Sequence, residues 1–255
     1  MNSTMSRKES FKSYIRIPIL VLIYLGIWQL LSMLIGSSLL LPSPAETGRS
    51  LLQILSDTRS WADIGHTFLR LLIGYFVGAI VGILLAVLTA KSNFLYFLLS
   101  PFRLLIKSTP ILSFVLILLV SVLSNLVPVV VSAIMVAPML WATTEQAILS
   151  LDPKLAEMGK VYYSPYRRFI LISLPQMLPQ ITASAVTALG FAWKSVITAE
   201  VISLPKFAIG NRMYLSKLYL ETSEMFAWTM LVVLLSLCME AGVRALTQRK
   251  EAVHD

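Results

Sequence analysis

Between Lys107 and Glu145 the sequence carries no charged residue. A helix needs only about 20 apolar residues to cross the roughly 30 Å hydrocarbon core of a bilayer, so this stretch is too long for one span. Ser124-Asn125 and Pro128 interrupt it, and turn residues of this kind divide it into two spans, near 102–123 and 128–149. Comparable apolar runs occupy 17–38, 67–90, 179–201 and 223–246. Hydrophobic residues make up 57% of the chain and charged residues 13%. A soluble domain carries about a quarter charged residues, so no soluble fold accommodates this composition. The expected fold is all-α, a polytopic membrane protein with six transmembrane helices and no large extramembrane domain.

Orientation follows from the bases. A cytoplasmic N-terminus places twelve Lys and Arg side chains on the inner side and five on the outer, as the positive-inside rule requires. Both termini are then cytoplasmic. The first apolar run is too long for a secretory h-region and no small-residue cleavage site follows it, so it reads as an uncleaved span. The formal charge of +8 sits at membrane edges. No basic face with interleaved aromatics appears, which argues against nucleic acid as a partner and leaves the lipid bilayer. Cys238 lies alone in an apolar run, and His66 and His254 have no Cys or carboxylate neighbours at ligand spacing, so no metal site is expected.

Other features are local. Gly74, Gly78 and Gly82 recur at four-residue spacing on one stripe of the second span, where they admit close approach by another helix. Residues 50–55 read as a short amphipathic helix at the outer surface. Residues 92–100 read as an interfacial turn into Pro101. The longest polar island, 151–181, holds Lys154, Lys160, Arg167 and Arg168. Asp152-Pro153 reads as an N-cap followed by proline at the first helical position. Ser164-Pro165 breaks that helix, and a second piece beginning near Tyr166 is expected to break again at Leu174-Pro175. The island therefore forms a helix–turn–helix knuckle facing the cytoplasm.

Few charges fall within or beside the spans. Arg103 and Lys107 share a helix face in the first turns of their span and are expected to snorkel to the inner interface, as Arg70 could on the outer side. Lys194 lies about mid-span with no carboxylate at helical contact spacing, and Glu200 falls on a different face. An intramembrane charge ordinarily faces a cavity or a partner, so Lys194 is the leading cavity charge, by cross-helix pairing or by contact with an anionic substrate. Trp193, Trp141 and Phe191 line the pathway or simply pack. Inverted repeats, a selectivity-filter sequence and a Walker-type phosphate loop are absent, which weakens readings as a secondary transporter, a channel or an ATPase. No polar catalytic cluster is visible at membrane depth, so an enzyme is not expected and no catalytic residue is assigned.

Several stretches together resemble permease subunits of ATP-binding-cassette importers. These are LLPSPAET, HTFLRLLIGYFVGAIVGILLAVL, SPFRLLIKSTPIL, the knuckle ending SLPQMLPQI, ALGFAWKSVITAEVIS and AIGNRMYLSKLYLET, in that order. The ensemble is similar to the branch importing sulfonates, taurine, nitrate or bicarbonate, or thiamine-precursor pyrimidines. The family's loop pattern ends as Ile172-Ser173-Leu174-Pro175 here. Counting back puts its glycine at Tyr162 and its Glu-Ala-Ala at 156–158; counting forward from Glu157 puts the glycine at Tyr163.

The resemblance implies a type I importer permease fold in a bacterial cytoplasmic membrane. It further implies a non-catalytic subunit paired with a second copy, two ATPase subunits that hold the ATP and magnesium, and an extracytoplasmic substrate-binding protein. The chain then divides into a cytoplasmic segment 1–16, a first span with its outer loop 17–66, a permease core 67–246 containing a coupling loop 150–175, and a tail 247–255. Ala156, Glu157, Met158, Gly159, Tyr162, Tyr163, Ser164 and Pro165 are the expected ATPase-coupling residues. Lys194, Trp193, Arg70 and Glu200 are the candidates for the translocation pathway. A secondary transporter working without an ATPase is the alternative class.

Overall fold

A computed structural model describes the backbone of residues 3–251 and the side chains of residues 19–243 except Ala156. The side chains of the segment 1–16 and of the tail 247–255 lie outside the described residues. Every described element is helical. They are α1 (Ser3–Ile35), α2 (Pro44–Ser56), α3 (Thr58–Lys91), α4 (Asn93–Ser108), α5 (Ile111–Ser121), α6 (Val127–Leu149), α7 (Pro153–Tyr162), α8 (Pro165–Arg168), α9 (Leu174–Ser203), α10 (Ile209–Leu218) and α11 (Thr222–Glu251), with one π-helical turn at Phe169–Ser173.

The chain forms two compact units. One comprises Met1–Ser60 with Arg212–Leu231, the other Trp61–Asn211 with Val232–Asp255. In the first, α2 starts from a capping box. The Ser43 hydroxyl accepts from the Glu46 backbone N–H at 3.2 Å while the Glu46 carboxylate accepts from the Ser43 backbone N–H at 2.8 Å, and Pro44 occupies the first turn. These Ser43 donors hold the Glu46 carboxyl below the usual carboxylate range. The Trp28 indole donates to the Pro42 carbonyl at 3.0 Å, and Thr222 Oγ1 donates to the Leu39 carbonyl at 2.8 Å.

The second unit is organised around α6. More than half of its apolar window is buried (56%), against 17% for α11. Val127, Val131 and Met135 of α6 form a core with Val115 of α5 and Ala199 of α9. Along the other side of α6 runs the glycine stripe of α3. A Cβ on Gly74 would lie 2.6 Å from the Val129 carbonyl oxygen, and one on Gly78 would lie 2.7 Å from that of Ala133. Only glycine permits this separation, as the spacing suggested. The large exposed apolar side chains of α3, α5 and α9 match a hydrocarbon solvent.

Among the described residues, four helices are long and apolar enough to cross a membrane, and α4 with α5 forms a fifth, bent element. With the apolar part of α1, Ile19–Ile35, the pattern is compatible with six spans.

Proline produced different local outcomes from those expected. The third apolar element is not a straight helix: α4 and α5 meet at 103°, at Thr109-Pro110. Pro110 pushes Thr109 into an extended conformation (φ −80°, ψ 129°), which ends α4. The expected turn at 92–100 is instead the first half of α4, capped by Ser92, with Pro101 inside the helix. The expected break at Leu174-Pro175 is likewise absent. Residues Pro165–Ser203 run as one continuous helical rod. Its π-helical turn bonds the Leu174 N–H to the Phe169 carbonyl, a five-residue step that absorbs the donor and the space that Pro175 removes.

Candidate functional site

The knuckle is built as a small rigid corner. Asp152 caps α7, its carboxylate accepting from the Lys154 N–H at 2.8 Å. Tyr163 and Ser164 turn the chain in extended conformations, and Pro165 opens α8. Gly159 is the buried contact point: a Cβ there would lie 2.5 Å from Ile172 Cδ1 and 3.0 Å from Arg168 Cγ, so its lack of a side chain lets α7 lie against the following rod. Gln176 closes the base, accepting from the Asp152 N–H at 3.1 Å and donating to the Ile172 carbonyl at 3.0 Å. Thus Gly159 packs inward, whereas Glu157, Met158, Tyr162, Tyr163, Ser164 and Pro165 are exposed. The side chain of Ala156 lies outside the described residues. Tyr162 is 75% exposed, with Val161 and Tyr166 similarly bare beside it, so the corner presents an apolar, aromatic surface.

The four pathway candidates separate into three environments. Arg70 of α3 and Glu200 of α9 meet as a buried ion pair at 2.9 Å. Their neighbours complete the set. Glu200 Oε2 accepts from Thr67 Oγ1 at 3.0 Å and the Gly210 N–H at 3.2 Å, and Thr67 Oγ1 accepts from the Ile209 N–H at 3.1 Å. Arg70 also donates to the carbonyls of Lys206 at 2.7 Å and Phe207 at 2.9 Å. The loop so held contains Leu204 and Phe207 at positive φ (48° and 52°), an arrangement non-glycine residues adopt only under outside constraint. Arg70 therefore does not snorkel; it locks a strained loop to two helices.

Trp193 is buried and donates its indole N–H to the Val232 carbonyl at 3.2 Å, joining α9 to α11. Lys194, one residue on, is exposed and lines a cavity of about 340 Å³ together with Phe191, Ser236 and Glu240.

A second charged cluster lies at the other end of α6. Arg103 is expected from sequence to snorkel, but its guanidinium pairs with Glu145. It also lies 5.1 Å from the ring centre of Trp141 and 5.9 Å from that of Tyr96. Trp141 itself is buried and donates to Thr89 Oγ1 at 2.9 Å. The counter-charge is 42 positions away in sequence, beyond the reach of helical spacing. Glu145 Oε1 is buried with no hydrogen-bond partner among the described residues. In the first unit, a cavity of about 500 Å³ is lined by Asp57, Arg212, Glu221 and Glu224 among others. Hydrogen bonding and repulsion from Glu224 push the Glu221 carboxyl above its usual range.

Two more cavities open where α4 breaks, of about 430 and 520 Å³, and Lys107 lines both.

Against known proteins, residues 78–252 match a family described as the binding-protein-dependent transport system inner membrane component. The chain is 21% identical over 233 residues to the aliphatic sulfonates transport permease protein SsuC of Bacillus subtilis (strain 168), covering 89% of this chain and 83% of that one. It is 22% identical over 244 residues to the taurine transport system permease protein TauC of Escherichia coli (strain K12), covering 89% and 85%. Its fold is similar to that of a chain of the MetNI methionine ABC transporter, solved in inward-facing form. That likeness has a TM-score of 0.59 at 18% identity and covers 74% of this chain and 93% of that one.

Proposed function

The chain belongs to the family of inner membrane components of binding-protein-dependent transport systems, and from that premise we propose that it forms the translocation pathway of an importer for a small organic or inorganic anion of the sulfonate type. It is a multi-pass, non-catalytic membrane subunit. Two copies pair, each with its termini and knuckle in the cytoplasm. Each knuckle seats in a groove on an ATPase subunit that holds ATP and magnesium, while a binding protein delivers cargo from outside.

The observation that carries the coupling role is the knuckle's construction. A capped helix, a buried glycine and a glutamine-tied base hold the corner rigid, yet it leaves Met158, Val161, Tyr162 and Tyr166 bare. Exposed aromatic and methionine side chains on a rigid element are what a protein partner's groove takes up. Because the rod from Pro165 to Ser203 is continuous, a displacement at the corner is delivered along α9 to the middle of the protein. The anionic cargo is supported by the sulfonate and taurine transport named for the two relatives.

Copurification tests the coupling. The solubilised wild-type protein retains an ATPase subunit, and Tyr162→Ala with Tyr166→Ala releases it while the permease stays monodisperse. A wild-type protein that holds no ATPase and transports on an ion gradient alone sinks the reading in favour of a secondary transporter.

A further inference from the structure

The break between α4 and α5 falls about halfway along α6. Helix α5 has 11 residues and is about 16 Å long, about half the roughly 30 Å core. Helix α6 has 23 residues, about 34 Å, enough to cross completely. The two are joined by the short segment 122–126, so the far end of α5 falls about halfway down α6. The contacts agree. Ile106 to Ile111 share a cavity with Met135, Pro138 and Met139, and Pro138 is the central residue of α6.

Lys107 sits one turn before this break. A snorkelling lysine near the inner surface is the expectation from its place in sequence; the structure sets Lys107, exposed, at the cavities of the break. Arg103, one turn earlier on α4, already pairs with Glu145 toward the inner end of α6. Lys107 lies farther in and has no ion-pair partner among the described residues. It lines both cavities at the break, which meet along Met139. Thr143, Gln180 and Ser184 add polar groups to one, and Ser108 and Thr109 to the other. No carboxylate lines either cavity among the described residues. Lys194 differs here, because Glu240 shares its cavity and offsets its charge toward an anion.

An ammonium group at membrane depth is costly unless it faces water or an opposite charge. A broken helix is tolerated there only where it lines a cavity or is buried in protein. Both conditions hold at one place in this fold. We propose that Lys107 is the side chain that meets the negative group of the cargo midway across the membrane, with Ser108, Thr109 and Gln180 completing the polar lining. This rests on the reading of the cargo as a small anion. Volumes of about 430 and 520 Å³ suit a small solute, within the range of about 300–1,000 Å³ usual for such sites.

The test uses the assembled transporter, with its ATPase subunits and binding protein, in proteoliposomes. Uptake of radiolabelled taurine, ethanesulfonate, sulfate and nitrate is measured. Lys107→Met should lower uptake of the transported anion about tenfold or more, the effect of losing a charge-assisted hydrogen bond. It should copurify with the ATPase as the wild type does, and Lys107→Arg should retain most of the uptake. Separately, Lys107→Cys in a Cys238→Ser background should react with the membrane-impermeant anionic reagent 2-sulfonatoethyl methanethiosulfonate, and transported anion should slow that reaction. Wild-type uptake of an anion that Lys107→Met leaves within about twofold overturns the role of Lys107 alone. Failure of the cysteine to react overturns the cavity placement. A wild-type transporter that carries none of the four solutes, each of which bears a negative group, with the cysteine reactive, instead overturns the reading of the cargo and this role with it.

Discussion

Replacing Arg70 by methionine removes one half of the buried ion pair while keeping much of the side chain's length. The carboxylate of Glu200 is fully buried and would retain only Thr67 Oγ1 and the Gly210 N–H as donors. The carbonyls of Lys206 and Phe207 would lose the guanidinium that holds their strained loop. Removing one partner from a buried pair costs about 3–5 kcal/mol, because an uncompensated charge stays behind. For a chain of this size that corresponds to a fall in Tm of about 6–20 °C. Tryptophan fluorescence of the solubilised transporter during heating gives the measurement. The double variant Arg70→Met/Glu200→Gln should recover much of the loss, since no charge is then left unpaired. A loss below about 1 kcal/mol for Arg70→Met, or a double variant less stable than the single, refutes the lock, because an exposed or pathway-facing arginine would behave in that way.

Two other expectations follow from packing and capping. Gly78→Val forces a Cβ to within 2.7 Å of the Ala133 carbonyl oxygen and 2.9 Å of its Cα. Overpacking against backbone costs about 1–3 kcal/mol or more, so heating should reveal a less stable protein, whereas Gly26→Val, in open space, should leave Tm unchanged. The Glu46 carboxyl is depressed by its Ser43 donors, so its contribution is complete above the unfolded carboxylate value, about 4.3, and is lost as pH falls through the lower folded value. Tm curves of the wild type and Glu46→Ala should therefore differ near neutrality and converge in acid; a constant gap down to the lowest pH would show that the capping box is not the source.

Short-range features were legible in the sequence because their causes are short-range. The Asp152-Pro153 start of α7, the Ser164-Pro165 turn and the glycine stripe of α3 each follow from residue chemistry and helical period alone. The partners of buried charges were not. Arg70 and Glu200 are 130 positions apart, Arg103 and Glu145 are 42 apart, and periodicity reports the face a side chain takes without reporting what stands opposite. The cavities that Lys194 and Lys107 line are likewise built with residues distant in sequence, Glu240 for the one and Met139 for the other.

The prolines show where local reading stops. Each removes one backbone donor and crowds the preceding turn. Pro110 ends its helix and turns the axis by 103°. Pro175 is absorbed by a π-helical turn within a continuous rod. Pro101, Pro138 and Pro179 lie inside helices that carry on. The local chemistry is common to all five, so the difference must come from what surrounds each. The rod through Pro175 is held at its start by Gly159 and Gln176 and along its length by α6. Helix α4 has no buried side chain along its whole length. With little packing to keep it collinear with α5, the proline decides its direction, and the cavity lined by Lys107 opens at that bend.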